Sequence, residues 1–396
     1  MIYNDSYTLD VEFNSTSMDL SPSSFSMSIH DSIHSFYSSA QLKLKDTSGS
    51  FREYLVPTEG NLFTLSLGDT KTILKSKFVV VNDESESTQT VGVLNFPINI
   101  NMLHSYYNNQ ERISKAYNDK ISSTLTSLLS SESFDKNIMA TDGAYVWYRL
   151  FFTQEEFIKQ VLLPSAYSYS HNTPFYCFIG VDNVFNFVTY DKMLQSSPVA
   201  TLKYFPYSPQ ESDIGNILSI EIFKTGSLKT KDLRKRVIYA RSLTTGEYSS
   251  KEDTIDQYPD KKEKDLYIPI VSKNDKITGF KDVSFAYTRE GAKEAYLAQN
   301  IYDEKGGFFL ERFIVTTALN PKLVSGKTIN LETYITEDNK GVTPSLYNSD
   351  KFLIEDTIHS WEGFDKKRGT TTIIIGRKFV YASNSQSLRD SMIKAN

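Results

Sequence analysis

Gly60-Asn-Leu-Phe-Thr-Leu-Ser-Leu67, then Lys77-Phe-Val-Val-Val-Asn82, a polar turn and Thr90-Val-Gly-Val-Leu94, form one ordered run of short segments. The same order returns late in the chain as Gly326-Lys-Thr-Ile-Asn-Leu-Glu-Thr333, Lys351-Phe-Leu-Ile-Glu-Asp356, a turn and Thr370-Thr-Thr-Ile-Ile-Ile375. Each run reads as glycine, strand, loop, Lys-Phe strand, hairpin and returning strand. Apolar residues recur at the period-two spacing of strands buried on one face. Small barrels in general share some of this punctuation. The sharper reading is a duplication, two similar units in one chain with a block inserted between them. No solenoid period is present.

Working outward, Tyr7–Phe13, Phe25–Ile29, Ala40–Lys45, Phe78–Val81 and Val91–Phe96 supply the other strands of the first unit. The period then changes. Ile113, Tyr117, Ile121, Leu125 and Leu128 predict an amphipathic helix over 111–129. Thr153-Gln-Glu-Glu156 reads as a capping box, with Thr153 as N-cap of a second helix whose apolar stripe is Phe157, Ile158, Val161 and Leu162. A hairpin follows, Phe175–Ile179 and Val184–Tyr190, turning near Gly180–Asn183. After Pro209, strands return at Leu218–Phe223, Arg236–Ala240, Arg312–Val315, Lys327–Leu331, 351–361 and 370–380. Ala292, Ala295, Tyr296, Ala298 and Ile301 before Gly306-Gly307 suggest a helix over 288–303. The polar 244–266 stretch reads as a surface excursion that orders on assembly. The expected fold is α+β and mainly β: a small antiparallel β-barrel over 1–104, an α+β block over 105–209, a related barrel over 210–382 and a tail over 383–396.

Composition removes whole classes of function. The lone Cys177 in 396 residues excludes a disulfide framework and multi-cysteine metal sites within the chain. A net charge of −5 gives no overall attraction to nucleic acid. No apolar run is long enough to span a membrane, and Met1–Ser6 shows no basic or apolar leader. The chain is rich in aromatics, with 25 Tyr and 25 Phe.

The search for chemistry comes back empty. His30-Asp-Ser-Ile-His34 has the histidine spacing of a zincin helix, but it alternates like a strand, places Asp31 where Glu belongs and lacks a third ligand. Glu155 and Glu156 are explained by helix capping, and Cys177 by burial in an apolar strand. His359, beside Trp361, reads as structural. The basic run Lys229–Arg236 lacks the interleaved aromatics that stack bases, and is expected at a solvated hairpin edge. No phosphate loop, dinucleotide loop or nucleophile elbow occurs. The expected catalytic, cofactor-binding and metal-ligating residues are therefore none.

The order of elements nevertheless resembles a known family. The capped helix at Thr153, the Phe175–Tyr190 hairpin, the Leu319–Gly326 run and the Lys351–Trp361 strand with its return resemble the central baseplate hub of contractile phage tails. They also resemble the hub part of VgrG-type spikes. In that family a Pro-Gly turn precedes a strand, and a V-x-x-V-x-H strand follows. Here Leu323–Gly326 and Ile354–His359 occupy those places, with Ser325 where proline is usual. The resemblance implies a structural virion protein without enzymatic activity. Its two tube-like barrels would assemble as a homotrimer into a pseudo-sixfold ring between a hexameric tail tube and a trimeric spike.

The implied partners are the tube protein, a separate spike polypeptide (no spike or lysozyme unit is visible after residue 380), baseplate wedge or sheath-initiator proteins and the tape-measure protein. Neither membrane insertion nor specific nucleic-acid binding is expected. The implied location is the virion tail, after assembly in the host cytoplasm. The aromatic surplus is expected at subunit contacts. A tail-tip hub of a non-contractile phage and a tail-associated peptidoglycan hydrolase are the competing readings.

Overall fold

The computed structural model describes residues 8–13, 16–19, 25–46, 59–68, 73–84, 96–108, 112–140, 145–153, 175–205, 217–223, 235–242, 246–254, 267–268, 281–288, 311–337, 341–344, 350–363, 368–377 and 380–381. The described elements up to residue 104 are strands: β1 (Thr8–Phe13), β2 (Thr16–Asp19), β3 (Phe25–Ser32), β4 (Ser39–Asp46), β5 (Leu62–Gly68), β6 (Ile73–Glu84) and β7 (Phe96–His104). They lie side by side in the order β3-β4-β7-β6-β5-β1-β2, and every neighbouring pair is antiparallel.

A short 3₁₀ turn at Ser105–Asn108 leads to β8 (Arg112–Asp119), α1 (Ile121–Leu128), β9 (Asp135–Ile138) and β10 (Tyr145–Thr153). The helix expected over 111–129 is therefore corrected: its first half is β8, which pairs with β10 in the register Tyr117 opposite Trp147. Only the second half is helical, and it buries Ile121 and Leu125. Thr153 ends β10. The capped helix expected beyond it, with Glu155 and Glu156, lies outside the described residues. The expected hairpin is present as β11 (Phe175–Ile179) and β12 (Val184–Thr189), with β9 parallel on its far side. α2 (Tyr190–Leu194) closes this part.

The remaining strands are β13 (Ala200–Tyr204), β14 (Ile217–Phe223), β15 (Lys235–Ser242), β16 (Tyr248–Thr254), β17 (Tyr267–Ile268), β18 (Lys281–Thr288), β19 (Glu311–Ala318), β20 (Thr328–Glu337), β21 (Gly341–Pro344), β22 (Asp350–Gly363), β23 (Arg368–Arg377) and β24 (Val380–Tyr381). β14-β19-β23-β22 continues directly into β3, so both halves belong to one 14-stranded sheet. β13 leaves the inserted region and pairs with β20 in that sheet. Two local expectations change. β15 is the middle strand of β16-β15-β18, so Lys235 and Arg236 start a central strand and not an edge. Within the polar 244–266 stretch, 248–254 form β16. The remainder of Lys229–Arg236, the helix expected over 288–303 and the 383–396 tail lie outside the described residues.

The echo seen in the sequence is a shared register. Gly60 and Gly326 both have positive φ, +88° and +80°. Gly60 donates its N–H to Val80 O, and Val80 returns its own to Asn61 O, both at 2.9 Å. Gly326 and Ile354 make the same exchange through Lys327 O, again at 2.9 Å. Phe63 lies opposite Phe78 and Ile329 opposite Phe352. β6 bulges at Val81 against β7, and β22 bulges at Glu355 against β23, each one residue beyond the exchange. The strand order β3-β4-β7-β6-β5 thus repeats as β14-β19-β23-β22-β20.

The two cores use the same positions. Ala40, Leu42, Phe63, Leu65, Phe78, Val80, Ile100 and Met102 pack in the first; Phe313, Val315, Ile329, Leu331, Phe352, Ile354, Ile373 and Ile375 take their places in the second. Burial of one full apolar side chain contributes about 1.5–3 kcal/mol, so each core is a substantial source of stability. Between them β11 is buried on both faces: Phe175, Cys177 and Ile179 enter one cluster, Tyr176 and Phe178 another. Phe134, Phe175, Phe185 and Phe187 go into this interior, with Phe175 stacked on Phe187 at 4.7 Å.

Candidate functional site at the joint between the repeats

β22 changes partners along its length. Asp350–Leu353 pair with β20, whereas Asp356–Gly363 pair with β3. Glu355 is the bulge at which the exchange happens. A bulge leaves one residue out of the ladder and re-aims its side chain. The Glu355 carboxylate, 1% exposed, accepts from Arg312 Nε at 2.8 and 3.0 Å and from Nη2 at 2.8 Å, and its Oε2 lies 3.1 Å from His34 Nε2. Arg312 belongs to β19 and His34 follows β3, so this single carboxylate ties both repeats together.

A second buried acid sits close by. Asp31 Oδ2 accepts the Ser325 N–H at 3.0 Å, and the Ser325 hydroxyl donates to Asp31 O at 2.8 Å. Ser325 thus supplies an N–H that a proline at this position would lack. Burial, and then the nearby Asp182, push the Asp31 carboxyl up to about 7. Burial also raises Asp182, against the opposing pull of Lys327 at 3.3 Å. Asp182 comes from the β11–β12 turn, where Asn183 adopts φ 61°. Asn183 Oδ1 meets His104 Nε2 at 2.9 Å, Val181 O accepts from Ser76, and Val181 enters the first core. The inserted hairpin therefore plugs the joint from the side.

The histidines noted in the sequence are placed accordingly. His30 is on strand β3, 4.0 Å from Asp356, and His34 faces Glu355; they do not share a helix face. Among the described residues no group of three metal-ligating side chains occurs. His359 is fully buried, with Nδ1 3.0 Å from Thr371 Oγ1, and burial pushes it down to about 4. It stays neutral and helps seat β22 against β23. Cys177 is buried within an apolar cluster. Glu355, Arg312 and Asp182 went unnoticed in the sequence. The buried phase of β22 moves from Phe352 and Ile354 to Thr357, His359 and Trp361, which marks the bulge between.

Chemically, the joint is closed: Glu355 is held by Arg312 and His34, and Asp31 Oδ2 by the Ser325 N–H. Its geometry suits fixing the two repeats to each other within one sheet. Solved structures share the fold of the chain. The tail protein of Neisseria meningitidis MC58 matches with a TM-score of 0.57 at 9% identity, over 96% of this chain and 99% of that one. The fold is that of a phage tail protein. The 43 kDa tail protein of prophage MuSo2 from Shewanella oneidensis gives 0.57 at 9% identity, over 95% and 100% of the two chains. A chain of the Francisella PdpA-VgrG complex gives 0.52 at 10% identity, over 94% of this chain and 53% of that one. No protein-family model matches the sequence, nor does any curated protein. Among the described residues no helix is long and apolar enough to cross a membrane.

Proposed function

We propose that this chain is the central hub of a contractile-tail baseplate, a structural protein of the virion without catalytic activity. Three copies would form a ring of six similar units, facing a hexameric tube on one side and a trimeric spike on the other. The observation that carries the reading is the residue-for-residue repeat of one five-strand unit within a single continuous sheet. A chain holding two equivalent units solves a threefold-to-sixfold mismatch, because identical heterologous contacts close into a ring. The shared fold of two full-length tail proteins supports it. The division into 1–104, 105–209 and 210–382, the spike, tube, wedge, sheath-initiator and tape-measure partners, and assembly in the host cytoplasm all belong to this proposal. Class averages of the purified particle by electron microscopy test it: end views should show six lobes around a channel, and isolated two-lobed particles would contradict it.

A further inference from the structure

The tip of the inserted hairpin, Gly180–Asn183, meets the joint mainly through polar groups. Val181 is its one apolar side chain beyond glycine, and it is fully buried in the first core. Val181 O accepts from Ser76, Asn183 Oδ1 lies 2.9 Å from His104 Nε2, and Asp182 Oδ2 lies 3.3 Å from Lys327 Nζ. The Val181 N–H is directed at the Asp31 carboxyl group, beside the Ser325 N–H. Gly180 leaves room for both acids: a Cβ there would lie 2.5 Å from Asp182 Oδ1 and 3.8 Å from Asp31 Oδ2. Two carboxyl groups, one from β3 and one from the tip, thus close on the same small space. Asp31 Oδ1 is buried there and makes no hydrogen bond among the described residues.

The charges around this pair do not balance. Among the described residues the cation that reaches it is Lys327, which is 39% exposed. Arg312 and His34 are committed to Glu355. Asp356, on β22, adds repulsion on Asp31, and its own neighbour His30 stands 4.0 Å away and partly in solvent. His104, across the tip on β7, is pushed down to about 4 by burial, so it is neutral above that pH. The N–H groups of Val181 and Ser325 favour an ionised Asp31, but burial and Asp182 outweigh them and hold it up at about 7.

We propose that the hairpin tip is a proton-operated latch: Val181–Asn183 stay docked on the joint while Asp31 and Asp182 hold at least one proton between them, and let go when both are ionised. Ionising Asp31 puts a second negative charge into a space served by one lysine. Lifting the tip takes Asp182 away and admits water to Asp31, so the open form accepts the ionised acid more easily. The docked form is therefore weakened as pH rises from about 4 to about 7, and no further beyond that. The latch lies within one chain and works with or without the ring.

Hydrogen exchange of the full chain, resolved to the Val181 amide and corrected for the intrinsic rate at each pH, tests this. Between about pH 5 and pH 7, protection at Val181 should fall by up to about tenfold per unit. Amides of β22 and β23 should keep theirs, because a local opening leaves the core strands closed. Asp31→Asn should flatten the fall, and Asp182→Asn should lessen it. Lys327→Met, which removes the compensating cation, should instead bring the loss to lower pH, and it decides the matter should an Asn variant fail to fold. Protection at Val181 that does not change with pH in the unmodified chain would overturn the latch. A fall of full size in Asp31→Asn would also overturn it and assign the change to His30 or His34. Loss of protection in β22 and β23 in step with Val181 would overturn it as well, since the whole joint would then be unfolding.

Discussion

Arg312 embraces Glu355 with three short contacts, two from Nε and one from Nη2, at the residue where β22 passes from one repeat to the other. Glu355 is 1% exposed and Arg312 18%, so removing the cation strands the more deeply buried charge. Breaking one side of a buried ion pair costs about 3–5 kcal/mol, while replacing both partners with well-packed apolar residues is often neutral. Arg312→Met should therefore destabilise by about 3 kcal/mol or more, and Arg312→Met with Glu355→Leu by much less. Urea unfolding of the two variants measures the difference; equal losses would show that the pair does not act as a unit.

The paired glycines allow a controlled comparison. Gly60 and Gly326 share the same left-handed backbone, but a Cβ at Gly60 meets nothing within 4 Å. At Gly326 it would lie 2.7 Å from Phe178 Cζ. Gly60→Ala should cost about 1–2 kcal/mol for the backbone alone. Gly326→Ala should cost clearly more, because the core ring must move as well. Melting temperatures of the two variants rank them.

Ser325→Pro should harm this protein. It removes both the N–H and the hydroxyl that Asp31 receives. A buried acceptor left unpaired costs about 1–3 kcal/mol. Ser325→Ala keeps the N–H and should lose less; chemical denaturation of the pair checks the order.

Two sets of buried groups give opposing pH dependences. Asp31 is raised to about 7, so the folded protein keeps its proton where the unfolded chain has released it. Its contribution to stability falls as pH rises from about 4 to 7. Asp182 acts in the same direction. His104 and His359 are lowered to about 4, so their contribution falls as pH drops through the window from about 6.5 to 4. Asp31→Asn removes much of the opposing slope. The variant's stability should rise more steeply than wild type between about pH 4 and 6.5, and it should lack the Asp31 component of the decline towards pH 7. Denaturation midpoints across that range test both statements.

The repeat was legible because glycine, Lys-Phe and apolar alternation are local signals, and both copies carry them at matching positions. The hairpin at Phe175–Thr189 was legible for the same reason. The segment from Ile113 to Leu128 misled because a spacing of four suits a strand face as well as a helix face: Ile113 and Tyr117 are an even number of positions apart in β8, whereas Ile121 and Leu125 share a helix side. The choice is made by β10, a cross-strand partner that the segment itself does not reveal. The joint was hidden for a related reason. Asp31 finds Ser325 294 positions away, and Arg312 meets Glu355 across neighbouring parts of the sheet. A buried acid reads locally as a surface residue until its distant donors are known. The polar stretch around β16 gave no strand signal because Lys251, Glu252 and Asp253 mask a strand held by β15.

The central claim is that two-unit chains close into a ring of three. Light scattering on the purified full chain measures this directly. A single species of three times the 45.1 kDa chain, unchanged across a tenfold dilution, is the predicted result. A monomer, or a dimer that closes on itself, would contradict it.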